Sequence, residues 1–161
     1  WQDKLTRRII GWSLSDLMTT ELVVSALQKA LRKGLIKAGA IVHSDRGSQY
    51  ASNGFRFLLQ QNCLRQSMSG KGNCYDNAQA ESFFSRFKTE LLEGGVFEDL
   101  EQARSEIFSY IEGYYNRVRL HSSLGYKSPI EFELELKTKN GELPWIYCKT
   151  SRINSPCESS S

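Results

Sequence analysis

Ala40-Ile41-Val42-His43-Ser44-Asp45-Arg46-Gly47-Ser48-Gln49 passes from a short apolar run into small and polar residues. Ala40 to His43 reads as a buried strand, and the loop that follows a strand is where α/β sheets place their sites. Small neighbours let a ligand approach the backbone around Asp45. An aspartate beside a glycine-containing loop equally serves to satisfy local N–H groups. Upstream, Thr19 reads as an N-cap, with Met18 and Val23 as a hydrophobic staple. Leu22, Val23, Ala26, Leu27, Ala30 and Leu31 then follow helical spacing, and Gly34 stands where a helix stops. Leu5 to Trp12 is rich in β-formers and predicts a further strand.

Downstream, a helix is expected after Ser52 with Phe55, Leu58 and Leu59 inward, and a short strand over Leu64 to Met68. Ser69 to Asn77 has the glycines and asparagines of a loop. From Ala78 to about Glu93 the pattern is helical, and steps of about 100° gather Ala80, Phe83, Phe84, Phe87 and Leu91 into one stripe. Asp99 predicts the start of another helix with Ala103, Ile107, Tyr110, Ile111 and Tyr114 buried. Ser128-Pro129-Ile130-Glu131 is a capping box with proline at the first helical position. Strands alternating with helices imply an α/β layer fold.

Beyond Leu136 the apolar pattern fails, so residues 1–136 read as the folded core and 137–161 as an atypical, loose tail. The 161-residue length suits one domain, and 40% hydrophobic content excludes disordered, collagenous and coiled-coil classes. Apolar runs reach only four or five residues, too short to span a bilayer. Cys63, Cys74, Cys148 and Cys157 form no CxxC pair and are accompanied by only two histidines, which argues against structural zinc. They read as reduced thiols of a cytosolic protein.

The net charge of +3 permits a polyanionic partner without demanding one. It is unevenly spread. Glu93 to Glu112 holds six acids and one base, whereas Gly113 to Ile130 holds Arg117, Arg119 and Lys127 with no acid. Arginines alternating with Tyr, Asn, His and Ser there fit a phosphate-gripping surface as well as a solvated face. Glu81 lies at the border of the apolar stripe, and Lys88, seven residues on, returns to the same border. Asp45 and Glu81 together suggest paired carboxylates for a hard divalent ion. Mg²⁺ binds oxygen ligands and typically uses one or two carboxylates with phosphate oxygens and water.

Four blocks then recur in a known order. They are Arg7-Arg8-Ile-Ile-Gly11-Trp12-Ser, His43-Ser-Asp45-Arg-Gly47-Ser-Gln-Tyr50, Ser67-Met-Ser-Gly-Lys-Gly-Asn-Cys-Tyr-Asp-Asn77-Ala-Gln-Ala-Glu81-Ser-Phe-Phe and Tyr115-Asn-Arg-Val-Arg-Leu-His121-Ser-Ser-Leu-Gly-Tyr-Lys-Ser-Pro129. Over roughly Leu5 to Glu135 the chain resembles the integrase catalytic core of bacterial insertion-sequence transposases, the second reading-frame product of two-frame elements, which is similar to retroviral integrases.

The resemblance implies a ribonuclease-H-like mixed sheet flanked by helices, and a DDE polynucleotidyl transferase that cleaves and joins DNA with Mg²⁺ or Mn²⁺, two ions in the complete enzyme. In that family 35 residues separate the second and third acids and a basic residue follows the glutamate by seven. Positions 45, 81 and 88 reproduce both intervals. Asp45 and Glu81 are thereby implied as catalytic metal ligands, and Lys88 as a DNA contact, with Arg117, Arg119, His121 and Lys127 as further DNA-facing residues. Partners implied are double-stranded DNA, both element ends and target, and further copies of the chain, in a nucleoid-associated cytoplasmic setting with no membrane. The family's first aspartate lies on a strand before the Arg7-Arg8 block, and that strand is missing here. Asp3 matches a family aspartate that is not a ligand, and Asp16 is not promoted either. The opening on Trp1 reads as an N-terminally truncated core, expected to be inactive as a fragment. The alternatives are a catalytically dead DNA-binding remnant and a nuclease of the same fold without strand transfer.

Overall fold

Helix α1 (Thr20–Arg32) buries Val23, Ala26, Leu27 and Ala30, the stripe its period predicts. The computed structural model describes residues 1–70, 78–92 and 97–140. Gly34, at φ +66°, ends α1 in a Schellman turn. Its N–H donates to the Leu31 carbonyl at 2.9 Å and the Leu35 N–H to that of Ala30 at 3.5 Å. At the other end Thr19 occupies the N-cap without a capping hydrogen bond, and Met18 is 75% exposed, so the expected staple does not form.

Strand β1 (Ile41–Ser44) pairs in parallel with β2 (Arg65–Met68), with Val42 opposite Gln66 and Ser44 opposite Met68. Between them lie α2 (Ser48–Ala51), a single turn the sequence pattern does not reveal, and α3 (Asn53–Gln61). Ser52 Oγ caps α3 by accepting from the Phe55 N–H at 3.2 Å. The fully buried Phe55 and Leu27, with Val42, Leu59 and Leu64, form one core between α1, α3 and the strands. Emptying the Phe55 site would cost about 3–5 kcal/mol.

Residues 5–12 do not form the predicted strand. Trp1 to Asp3 instead runs antiparallel to Arg8–Gly11 as a tight hairpin with a single bridge, Gln2 to Ile9. Asp3 Oδ1 accepts from the Leu5 and Thr6 N–H groups, at 3.1 and 2.6 Å, and from the Thr6 hydroxyl at 2.8 Å. That captured turn, with Arg7 at φ +64°, breaks the extended run after four residues. Asp3 is therefore buried as a turn builder, in keeping with its not being a ligand.

A second core joins the hairpin to the C-terminal helices. Helix α4 (Ala78–Leu92) presents Phe83 and Phe87 to Tyr115 and Tyr110, with ring centroids 5.1 and 5.3 Å apart. Phe84, expected in the same stripe, is 56% exposed. Helix α5 (Leu100–Phe108), capped by Asp99, continues into a π-helical segment, Ser109–Tyr115. The wider turn advances the phase, so Tyr115 rather than the predicted Tyr114 turns inward. Helix α6 (Pro129–Asn140) begins at the predicted box, where Glu131 Oε2 accepts from the Ser128 N–H and hydroxyl, both at 2.8 Å. It continues past Leu136 on charge rather than apolar pattern. Glu133–Lys137 and Glu135–Lys139 pair at 3.4 and 2.7 Å across one turn. Residues 141–161, most of the expected tail, lie outside the described residues, as does most of the loop before α4.

Candidate nucleic-acid and metal site

Asp45 stands immediately after β1 with its side chain exposed, and its Oδ1 accepts from the Gly47 N–H at 2.9 Å. The local turn and an outward carboxylate thus coexist: one oxygen shapes the loop, and the side chain still faces solvent. Two side chains steady this strand end. His43 Nδ1 lies 2.9 Å from Ser67 Oγ, and Arg46 Nε donates to the Ser69 carbonyl at 2.8 Å. Glu81 occupies the first turn of α4, exposed, and Lys88 is exposed two turns further along. Among the described residues no three His, Cys, Asp or Glu side chains gather closely enough to hold a metal ion. The two carboxylates offer oxygen donors only, which suits a hard divalent ion and not zinc.

The basic segment is more occupied than its sequence suggests. Arg119 grips Glu90 through both Nε, at 3.0 Å, and Nη2, at 2.7 Å, with only 10% of its side chain exposed. Tyr110 donates to the same carboxylate at 2.7 Å. The arginine and tyrosine hold Glu90 below the usual carboxylate range. Lys127 pairs with Glu135, and Arg117 Nε donates to the Glu112 carbonyl at 3.0 Å. Lys88 has no ion pair among the described residues. His121 is fixed by backbone bonds to Lys127 and Tyr126 around Gly125, at φ +66°. Its ring meets Tyr115 edge-on at 5.1 Å. Burial, then Arg119, Arg7 and Arg86, push its pKa down to about 4, so it is neutral at physiological pH.

Arg119 and His121 line a cleft of about 320 Å³ that neither Asp45, Glu81, Lys88, Arg117 nor Lys127 reaches. Arg7, from the hairpin, and Arg86, from α4, complete its basic wall. Neither was singled out by sequence. The only available signal was that Arg86 lies four residues before Glu90 on α4, while Arg7 gave none, because its place depends on the Asp3 turn.

Two family profiles, each described as an integrase core domain, match residues 1–74 and 62–129. The chain belongs to the integrase core family. Its relatives include the transposase for insertion sequence element IS904 of Lactococcus lactis, 47% identical over 131 residues, or 81% of this chain and 52% of that protein. Transposase InsF for insertion sequence IS3A of Escherichia coli K12 is also 47% identical over 131 residues, 81% of this chain and 46% of the relative. The chain therefore spans about half the length of these curated relatives.

A chain of the cryo-EM structure of the simian T-cell lymphotropic virus intasome in complex with PP2A regulatory subunit B56 gamma shares the architecture. Its TM-score is 0.59 at 14% identity, over 91% of this chain and 48% of that one. That likeness concerns the fold alone, which is the expected ribonuclease-H-like mixture of helices and strands. Within this integrase core the described sheet is narrow: two parallel strands, with two isolated antiparallel bridges, Gln2–Ile9 and His121–Lys127, outside it. No described helix is long and apolar enough to cross a membrane.

Proposed function

We propose that this integrase core is the DNA-joining part of an insertion-sequence transposase, with Asp45 and Glu81 as its metal-holding carboxylates. The observation that carries the reading is the position of these acids in a matched integrase core. One follows a parallel strand, the other opens a helix, both are exposed, and Lys88 lies two turns beyond the second. The oxygen-only pair fits Mg²⁺ or Mn²⁺, with two ions in the complete enzyme. When bound, such ions supply Lewis-acid stabilisation of charge at a phosphodiester and an activated nucleophile.

The chain's own contributions follow from its geometry. Asp45 Oδ1 accepts from the Gly47 N–H, and the exposed carboxylate keeps its second oxygen for a ligand. Glu81, in the first turn of α4, is placed by the packing of Phe83 and Phe87, two and six residues further along the helix. Lys88 contributes an exposed cation for a phosphate. Arg117, Arg119, His121 and Lys127 form the wider DNA-facing surface, with Arg117 the least encumbered of its cations. The DNA ends and target are the substrates, and the working form is a multimer on DNA in the bacterial nucleoid.

A second reading is a DNA-binding remnant without catalysis. It is favoured by the lack of a three-acid cluster among the described residues. An assay of duplex binding beside donor–target joining in Mg²⁺ and Mn²⁺ separates the two. Joining that disappears in Asp45→Asn and Glu81→Gln supports the transferase. Binding with no product supports the remnant. Failure to bind duplex DNA at all contradicts both.

A further inference from the structure

The cleft between the hairpin, α4 and the His121 turn has three arginines in its lining, Arg7, Arg86 and Arg119, and no described carboxylate. Arg7, Arg86 and Arg119 line it together with His121, and all three lower the proton affinity of that ring. Arg119 is balanced by Glu90. The guanidinium groups of Arg7 and Arg86 make no hydrogen bond or ion pair among the described residues, and no described carboxylate lines the cleft. His121 Nε2 is buried there with no hydrogen-bond partner. An unsatisfied buried ring nitrogen disfavours the folded state. Arg7 is also held in the left-handed region by two bonds: its N–H donates to the Asp3 carbonyl at 2.9 Å, and Gln2 Nε2 donates to its own carbonyl at 3.0 Å.

We propose that this cleft binds one phosphate group, with Arg7 and Arg86 as the charged donors and the His121 ring beside them. Two convergent guanidinium groups match phosphate geometry. The site is separate from the Asp45–Glu81 pair and needs no metal. It draws on the proposed function only for the expectation that a DNA backbone supplies the phosphate.

The test uses the whole 161-residue chain in EDTA, so that failure of the metal reading leaves it intact. Inorganic phosphate and a short duplex are titrated separately, following the imidazole nitrogens of the two histidines by NMR. Arg7→Asn keeps a residue that tolerates positive φ, and Arg86→Gln lies on an exposed helical face, so both variants are expected to fold. His121 should shift with phosphate while His43 does not, and either substitution should weaken binding about tenfold. With duplex DNA, each should also lower the salt slope by about one, unlike Arg56→Gln on the exposed face of α3. An effect on inorganic phosphate alone assigns the site to free phosphate; an effect on both assigns it to the DNA backbone. A His121 signal unmoved by either ligand, or moved equally in Arg7→Asn and Arg86→Gln, would overturn the proposal.

Discussion

Asn116 holds Ile9 at both ends of its peptide: Oδ1 accepts from the Ile9 N–H at 2.9 Å, and Nδ2 donates to the Ile9 carbonyl at 3.0 Å. A side-chain amide thus stands in for a neighbouring strand. The asparagine is fully buried, and its own carbonyl accepts from the Ile130 N–H at 3.0 Å, which ties the start of α6 to the hairpin. Arg8 adds an ion pair to Glu133 at 2.6 Å. Asn116→Ala would leave two buried main-chain groups of Ile9 unpaired, a loss of about 2–4 kcal/mol. Urea unfolding should show a lower midpoint at unchanged slope.

Gly11 is required for a different reason. A Cβ there would lie 2.3 Å from the Ala26 carbonyl oxygen and 2.9 Å from the Ala30 Cβ, because the hairpin crosses α1 at close range. Gly11→Ala should cost about 1–3 kcal/mol. Gly54, in α3, meets only a Thr20 methyl at 3.7 Å. Gly54→Ala should be neutral or stabilise by up to about 1 kcal/mol. Paired thermal melts of the two variants check the contrast.

The strands and helices around Asp45 were readable because their apolar periods are local and agree with their capping residues. Gly34, Ser52, Asp99 and Ser128 each mark a boundary that the structure keeps. The hairpin was not readable. Its β-forming composition says nothing of a distant amide that takes the partner's place, or of Asp3 capturing the turn. The π-helical turn likewise changes the period at Tyr115 without any change in composition. The interval between Asp45 and Glu81 is legible in the sequence, whereas the Arg7–Arg86 cleft exists only once three elements meet. The Arg119–Glu90 pair spans 29 residues and was equally hidden.

His121 makes stability depend on pH. Its folded pKa, about 4, lies below its ordinary value of 6.5, so the unfolded chain binds a proton that the folded chain refuses. This contribution to stability is complete above 6.5 and is lost as pH falls from there toward 4. His121→Asn should flatten the urea midpoint across that window. An unchanged slope would mean that other groups govern it.

Arg117 and Arg119 should behave differently toward DNA although they are two residues apart. Arg117 keeps its charge free for phosphate, so Arg117→Ala should lower the salt slope by about one. Arg119 is already neutralised by Glu90, so Arg119→Ala should change the slope less, and Glu90→Gln should raise duplex affinity. Fluorescence anisotropy across a salt series gives all three slopes.

Mn²⁺ titration of the isotopically labelled chain, with paramagnetic broadening read at every amide, tests the central claim most directly. Asp45 and Glu81 are far apart in sequence, so one shared ion must broaden the amides around both at the same Mn²⁺ concentration. Asp45→Asn or Glu81→Gln should then abolish the broadening at both places while leaving the fold intact. Broadening centred elsewhere, or persisting around one carboxylate when the other is removed, would contradict a shared metal site and with it the transferase reading.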